Sequence, residues 1–126
     1  MVNKKILFIE YPKCTTCQKA KKWLIEHGVN FEARHIVEEN PSADELREWI
    51  EISGLEMKKF FNTSGLKYKE LGLKDKLATM SAAKKIELLA SDGMLVKRPL
   101  VIIDSGKEVL LGFKEKEWEK VFYKIN

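Results

Sequence analysis

Two kinds of apolar spacing alternate along the chain. Short continuous runs, Ile6-Leu7-Phe8-Ile9 and Pro99-Leu100-Val101-Ile102-Ile103, have the length and β-branched content of buried strands. Phe31 to Val37 reads as a second strand and Glu108 to Leu111 as a fourth. Between the strands the apolar positions fall at helical spacing. Ala20, Trp23, Leu24 and His27 share one face of a helix that stops at Gly28. Leu46, Trp49 and Ile50 form the stripe of the next helix, which Ser42 and Glu45 open at capping-box spacing and Ser53-Gly54 closes. Shorter helical stretches are predicted at about Glu56 to Phe61, Tyr68 to Leu71 and Lys74 to Met80. Ser81 caps a clearer helix carrying Ile86, Leu89 and Ala90, which ends at Ser91-Asp92-Gly93. A last helix starts near Lys114, with Trp118, Val121 and Phe122 inward. No strand pattern occurs between Val37 and Leu95.

These elements imply an architecture. A helix joining the first two strands makes them parallel. The Asp104-Ser105-Gly106-Lys107 turn makes the last two a hairpin. The expected order is β-α-β, a helical block over residues 41–93, then β-β-α: an α/β chain with a mixed four-stranded sheet and a helical insertion between strands 2 and 3. The block is too apolar for a linker. Residues 1–126 are expected to form one domain, long enough for a sizeable core.

Composition narrows the function classes. A hydrophobic fraction of 44% with 33% charged residues is that of a globular protein. The net charge of +4 is mild. The paired lysines (Lys58-Lys59, Lys84-Lys85) alternate with acidic residues, which reads as a solvated face, with no direct nucleic-acid binding expected. No apolar run approaches the ~20 residues that span a bilayer, so no membrane partner is expected. The run after Lys4-Lys5 is too short for a signal peptide, so the expected location is cytoplasmic.

The chemistry concentrates in Tyr11-Pro12-Lys13-Cys14-Thr15-Thr16-Cys17, which holds the only two cysteines. The motif follows the first strand and opens the first helix. Cys14 is therefore expected at the helix entrance and Cys17 about one turn inside. A helix N-terminus offers unpaired N–H groups and partial positive charge, and Lys13 adds a full charge next door. A free thiol titrates near ~8.5, and such sites pull it to roughly 3.5–7.5. Cys14 is the expected nucleophile, and Cys17 the thiol that attacks a mixed disulfide formed on it. Half a zinc site and a pair of inert thiols are the alternatives. A structural zinc site usually takes four protein ligands, and only His27 and His35 remain to supply them, so no metal is expected. His35 reads as a structural residue of its strand, and His27 as a packing or capping residue at its helix end.

A Cys-x-x-Cys after the first of four strands in this order is the thioredoxin-like arrangement. Within it, the chain resembles the arsenate reductase family of the glutaredoxin-coupled type, which also includes the Spx regulators. The resemblance spans essentially the whole chain. It rests on the cysteine loop, on Phe60-Phe61-Asn62-Thr63-Ser64-Gly65, on Ser91 through Leu100, and on Gly112-Phe113-Lys114-Glu115. It implies that Cys14 is the nucleophile, that Arg98 lies beside it, and that Pro99 is a cis-proline facing the cysteine loop. A guanidinium there would favour the thiolate and bind an oxyanion with paired donors. Pro12, Thr15 and Thr16 would shape the loop.

The chain also departs from the arsenate-reducing branch. Asn62 stands where that branch carries an arginine, Lys114 is the counterpart of a further basic residue, and Cys17 supplies a second cysteine that the branch typically lacks. The resemblance therefore implies a thiol–disulfide oxidoreductase whose arsenate activity is reduced. Lys13, Asn62, Arg98 and Lys114 would contact the oxyanion or substrate. Glutathione, glutaredoxin or thioredoxin would serve as reductant, with no tightly bound cofactor. The alternative is an Spx-like redox-sensing transcriptional regulator that binds RNA polymerase.

Overall fold

The computed structural model describes residues 4–125. Four strands, β1 (Ile6–Glu10), β2 (Glu32–His35), β3 (Leu100–Ile103) and β4 (Glu108–Leu111), form one sheet in the order β2-β1-β3-β4. β1 runs parallel to β2 and antiparallel to β3, and β3 runs antiparallel to β4. The helices are α1 (Thr15–Glu26), α2 (Ala43–Ser53), α3 (Leu66–Glu70), α4 (Leu73–Lys76), α5 (Ala82–Ser91) and α6 (Glu115–Ile125). This is the expected thioredoxin-like sheet, with α2 to α5 entering between β2 and β3.

Alternation along β1 and β3 divides the core into two layers. Ile6, Phe8, Val101 and Ile103 face α1 and α6, where Ala20, Trp23, Leu24, Trp118 and Phe122 are buried. Ile9, Leu100 and Ile102 face the other way, against Leu46, Trp49, Ile86, Leu89 and the rest of the helical block. Both layers need the period-2 register, since a one-residue slip would exchange the faces.

Two departures from the expected pattern have local causes. β2 ends at His35 rather than Val37 because the His35 ring turns the chain. Its Nδ1 accepts from the Val37 and Glu38 N–H groups, both at 3.1 Å, and Glu39 N–H donates to the His35 carbonyl at 2.9 Å. The structural role expected for His35 is the one observed. Among the described residues a single isolated antiparallel bridge also joins Phe61 of the helical block to Val96, just beyond the block's end, where no strand was expected. One bridge leaves no alternation to read in the sequence.

The other end signals act as expected. Ser42 accepts from Glu45 N–H while Glu45 accepts from Ser42 N–H, a complete capping box, and Gly54 closes α2 in the left-handed region at φ 69°. Ser81 Oγ accepts from Lys84 N–H at the start of α5. His27 ends α1, stacks on Trp23 at 3.9 Å and bonds its carbonyl through Nδ1 at 2.8 Å.

Glu45 also ties the block to the sheet. Arg34 on β2 donates to both its oxygens at 2.7 and 2.8 Å. That pairing, against a smaller cost of burial, lowers the Glu45 carboxyl to about 2. A carboxylate whose folded pKa is depressed stabilises the fold above its unfolded value, and the contribution is lost as pH falls through the folded value. Because Glu45 is partly exposed, its contribution is about 1 kcal/mol after solvent screening. Wild type should therefore lose about 1 kcal/mol more than Glu45→Gln between pH 6 and pH 2, measured by urea unfolding, and parallel losses would refute the assignment.

Candidate active site

The loop between β1 and α1 sets the two thiols apart. Cys14 is the N-cap of α1, with extended backbone at φ −79° and ψ 122°, and its N–H donates to the Tyr11 carbonyl at 2.9 Å. This places its side chain beside the free N–H groups of the first turn. Gln18 Nε2 donates to the Pro12 carbonyl at 2.9 Å and holds the loop against the helix. Both cysteines are free thiols: Cys14 is half-buried and Cys17 fully buried.

Their electrostatics differ in sign. Partial burial pushes the Cys14 thiol up. Hydrogen bonds from the Cys17 N–H, the Cys17 thiol and the Thr16 N–H, with the charge of Arg98, outweigh it and hold Cys14 below its ordinary value. Burial dominates at Cys17, and with the neighbouring Cys14 it overcomes a hydrogen bond from Tyr11 N–H and the charge of Arg98. The Cys17 thiol is pushed up to about 12. At pH 6, iodoacetamide should alkylate Cys14 and leave Cys17 of the folded protein unmodified. Peptide mapping reads this, and equal labelling of the two would contradict the geometry.

A cleft of about 390 Å³ opens over Cys14. Of the residues singled out in the sequence, Cys14, Thr16, Asn62, Arg98 and Lys114 line it. Lys13, Pro12 and Thr15 are exposed in the loop but outside that lining, and Cys17 lies beneath it. Arg98, across the cleft, adds a charge that lowers the Cys14 thiol. Pro99 is buried and the Arg98–Pro99 peptide is cis, as the resemblance implied.

Arg98 is half-fixed. One Nη1 donates to the Met94 carbonyl at 3.3 Å, and the guanidinium sits 5.4 Å from the centre of the Tyr11 ring. Its Nε is buried without a partner among the described residues. Leaving such a buried donor unsatisfied costs roughly 1–3 kcal/mol. Asn62 is buried at the cleft edge, its N–H donating to the Leu95 carbonyl at 2.8 Å. A Cβ on Gly65 would come within 2.6 Å of the Asn62 Nδ2, so glycine is needed for the amide to sit there.

The opposite wall is Leu111, Gly112, Phe113 and Lys114, between β4 and α6. The aromatic cluster positions it: Phe113 packs edge-on to Trp118 at 4.8 Å, and Trp118 Nε1 donates to the Gly112 carbonyl at 3.2 Å. Gly112 N–H donates to the Pro99 carbonyl at 2.9 Å, joining this wall to the proline. Lys97, one residue before Arg98, also lines the cleft and was missed. Its position next to Arg98-Pro99 was the available signal.

Among the described residues, no three His, Cys, Asp or Glu side chains gather as a metal site, and no helix is long and apolar enough to cross a membrane.

Known proteins share both the sequence and the arrangement. A family model described as the ArsC family matches residues 9–121. The uncharacterized protein YusI of Bacillus subtilis is 56% identical over 115 residues, 91% of this chain and 96% of that protein. The global transcriptional regulator Spx of Streptococcus pyogenes is 28% identical over 106 residues, 84% of this chain and 76% of that protein. A solved structure of an ArsC-family related protein from Bacteroides fragilis superposes with TM-score 0.87 at 57% identity, covering 93% of this chain and 97% of that one. That of a possible arsenate reductase from Streptococcus mutans gives 0.83 at 44%, covering 93% and 99%. A family match that starts inside β1, reaches into α6 and takes in both cysteines, on a thioredoxin-like sheet, has one consequence: the chain belongs to the ArsC family.

Proposed function

We propose that the protein is a thiol–disulfide oxidoreductase of one domain, residues 1–126 with the insertion at 41–93, in which Cys14 attacks and Cys17 resolves. The observation that carries this reading is the pairing of an accessible, stabilised Cys14 thiolate in a cleft with a buried, protonated Cys17 one turn below. The Cys14 thiolate attacks one sulfur of a substrate disulfide. A Cys14–substrate disulfide forms and the other substrate sulfur leaves as a thiolate. Cys14 then carries no charge, so its contribution to raising Cys17 is gone, while Tyr11 N–H and Arg98 still favour the Cys17 anion. Cys17 passes its proton to the substrate thiolate released in the first step and attacks the Cys14 sulfur, and the second substrate sulfur leaves as a thiolate. Two electrons have passed to the substrate. An external dithiol, thioredoxin, or glutathione with glutaredoxin returns them, and no tightly bound cofactor takes part.

Arg98, Asn62 and Lys114 contact the substrate in the cleft, and Lys13 contributes at the loop surface. Pro12, Thr15, Thr16 and Pro99 shape the approach. The test is an activity panel of arsenate, small mixed disulfides and small-protein disulfides, each with and without glutathione and thioredoxin. Turnover of disulfides supports the reading, and none with any reductant sinks it.

The likeness to Spx favours a second reading from the same thiols. A cytoplasmic redox-sensing regulator would dock on RNA polymerase and change shape when the two cysteines join. Recovery of RNA polymerase subunits on the immobilised protein, lost or gained on oxidation, would favour this reading over the enzyme.

A further inference from the structure

Beyond the thiol chemistry, and resting on the oxidoreductase reading, we infer that one flank of the cleft is a docking groove for an acidic, extended polypeptide segment next to the reactive disulfide of a protein substrate. The Cys14 cleft continues into a second groove of about 410 Å³, and the two share Lys97, Leu111 and Lys114. The second groove adds Lys58 and Lys59, so four lysines face a single carboxylate, Glu56. Among the described residues, none of the four is in an ion pair. Unpaired like charges crowded along one groove repel, and an anionic ligand relieves that.

The walls are held by the backbone. Lys97 N–H donates to the Phe60 carbonyl at 2.7 Å beside the Phe61–Val96 bridge. The Lys97 stem lies along Gly112, where a Cβ would come within 3.1 Å of Cε. The other flank differs. There Lys67 and Arg98 stand with Glu70 and Asp92, and the charges balance. Charge selection therefore falls on one side only.

The placement of the lysines decides the class of ligand. Lys58 and Lys59 line the groove but not the Cys14 cleft, so a small oxyanion reacting at the sulfur does not meet them. Carboxylates connected by a chain to the reacting disulfide do.

The experiment compares three disulfide peptides, identical except for four glutamates, four glutamines or four lysines on one side of the disulfide. The glutamate peptide should oxidise the reduced wild type about 10-fold faster than the glutamine peptide, and added salt should erode the difference. In the double variant Lys58→Gln, Lys59→Gln, both at exposed positions, the glutamate-to-glutamine ratio should fall most of the way to one. A ratio near one in wild type, or one unchanged in the variant, overturns the proposal. So does an equal slowing of glutathione disulfide, which would mean that the lysines read the carboxylates of glutathione. A fluorescent glutamate peptide without cysteine, followed by anisotropy, reads the groove without the chemistry. Salt-sensitive binding that weakens in the variant upholds the groove even if no peptide disulfide is reduced, an outcome that would sink the oxidoreductase reading alone. No binding overturns the groove.

Discussion

Replacing Cys14 with serine should abolish every thiol reaction of the protein, whereas replacing Cys17 with serine should leave attack intact and stop release. The asymmetry follows from the two environments. Cys14 is the half-exposed thiol, lines the cleft and receives the stabilising N–H groups of the first turn. Cys17 is fully buried and does not line the cleft. A serine hydroxyl at position 14 neither ionises near neutral pH nor exchanges with a disulfide. At position 17 the loss is of a thiol already in place. Well-oriented intramolecular partners act at effective concentrations of up to about 10⁵–10⁸ M. Even a small part of that advantage would outrun millimolar glutathione, so resolution in Cys17→Ser should slow by 100-fold or more. Mass spectrometry under non-reducing conditions should show substrate adducts accumulating on Cys14 in Cys17→Ser and none in Cys14→Ser. Wild-type turnover by Cys17→Ser would mean that the second thiol is not the resolving group.

The residues explain how much of this was readable beforehand. The sheet was legible because its two central strands, β1 and β3, are continuous apolar runs, and the helix ends because Ser42, Glu45, Gly54 and Ser81 are end signals with local mechanisms. The cysteine loop was legible for the same reason: strand, motif and helix are adjacent in sequence, so local geometry sets the N-cap. The cleft was harder to read. Its walls come from Asn62, Arg98 and Lys114, brought together by the single bridge at Phe61–Val96 and by the Trp118 indole on Gly112. Neither contact has a periodic pattern. The resemblance points to these residues, and Lys97 lies inside its Ser91-to-Leu100 stretch without a role assigned to it. Arg98, which lowers the Cys14 thiol, lies 84 positions further along the chain, where no local pattern connects it to the motif.

The protein should reduce arsenate poorly while exchanging disulfides well, and Asn62→Arg should shift that balance. An arsenylated intermediate on Cys14 places several anionic oxygens in the cleft, each needing a fixed donor. The structure offers the Arg98 guanidinium, the N–H groups of the first turn of α1, and Lys114 on the far wall. Asn62 is correctly placed at the cleft edge, but it brings an amide where a guanidinium would bring a full charge and two parallel donors. Loss of one donor to a developing oxyanion costs roughly 10²–10³ in rate. Disulfide exchange carries no such demand, because the charge that develops sits on sulfur, already served by the turn and Arg98. Asn62→Arg should therefore raise arsenate turnover by about 100-fold and change disulfide exchange by less than about 3-fold. Arsenite production in the presence of glutathione and glutaredoxin, beside reduction of a neutral small disulfide, measures both. Two results would refute this account. One is efficient arsenate reduction by the wild type that Cys17→Ser leaves untouched, the behaviour of a reductase using Cys14 alone. The other is an Asn62→Arg variant, shown to be folded by circular dichroism, with no gain on arsenate, which would place the limiting step away from the cleft donors.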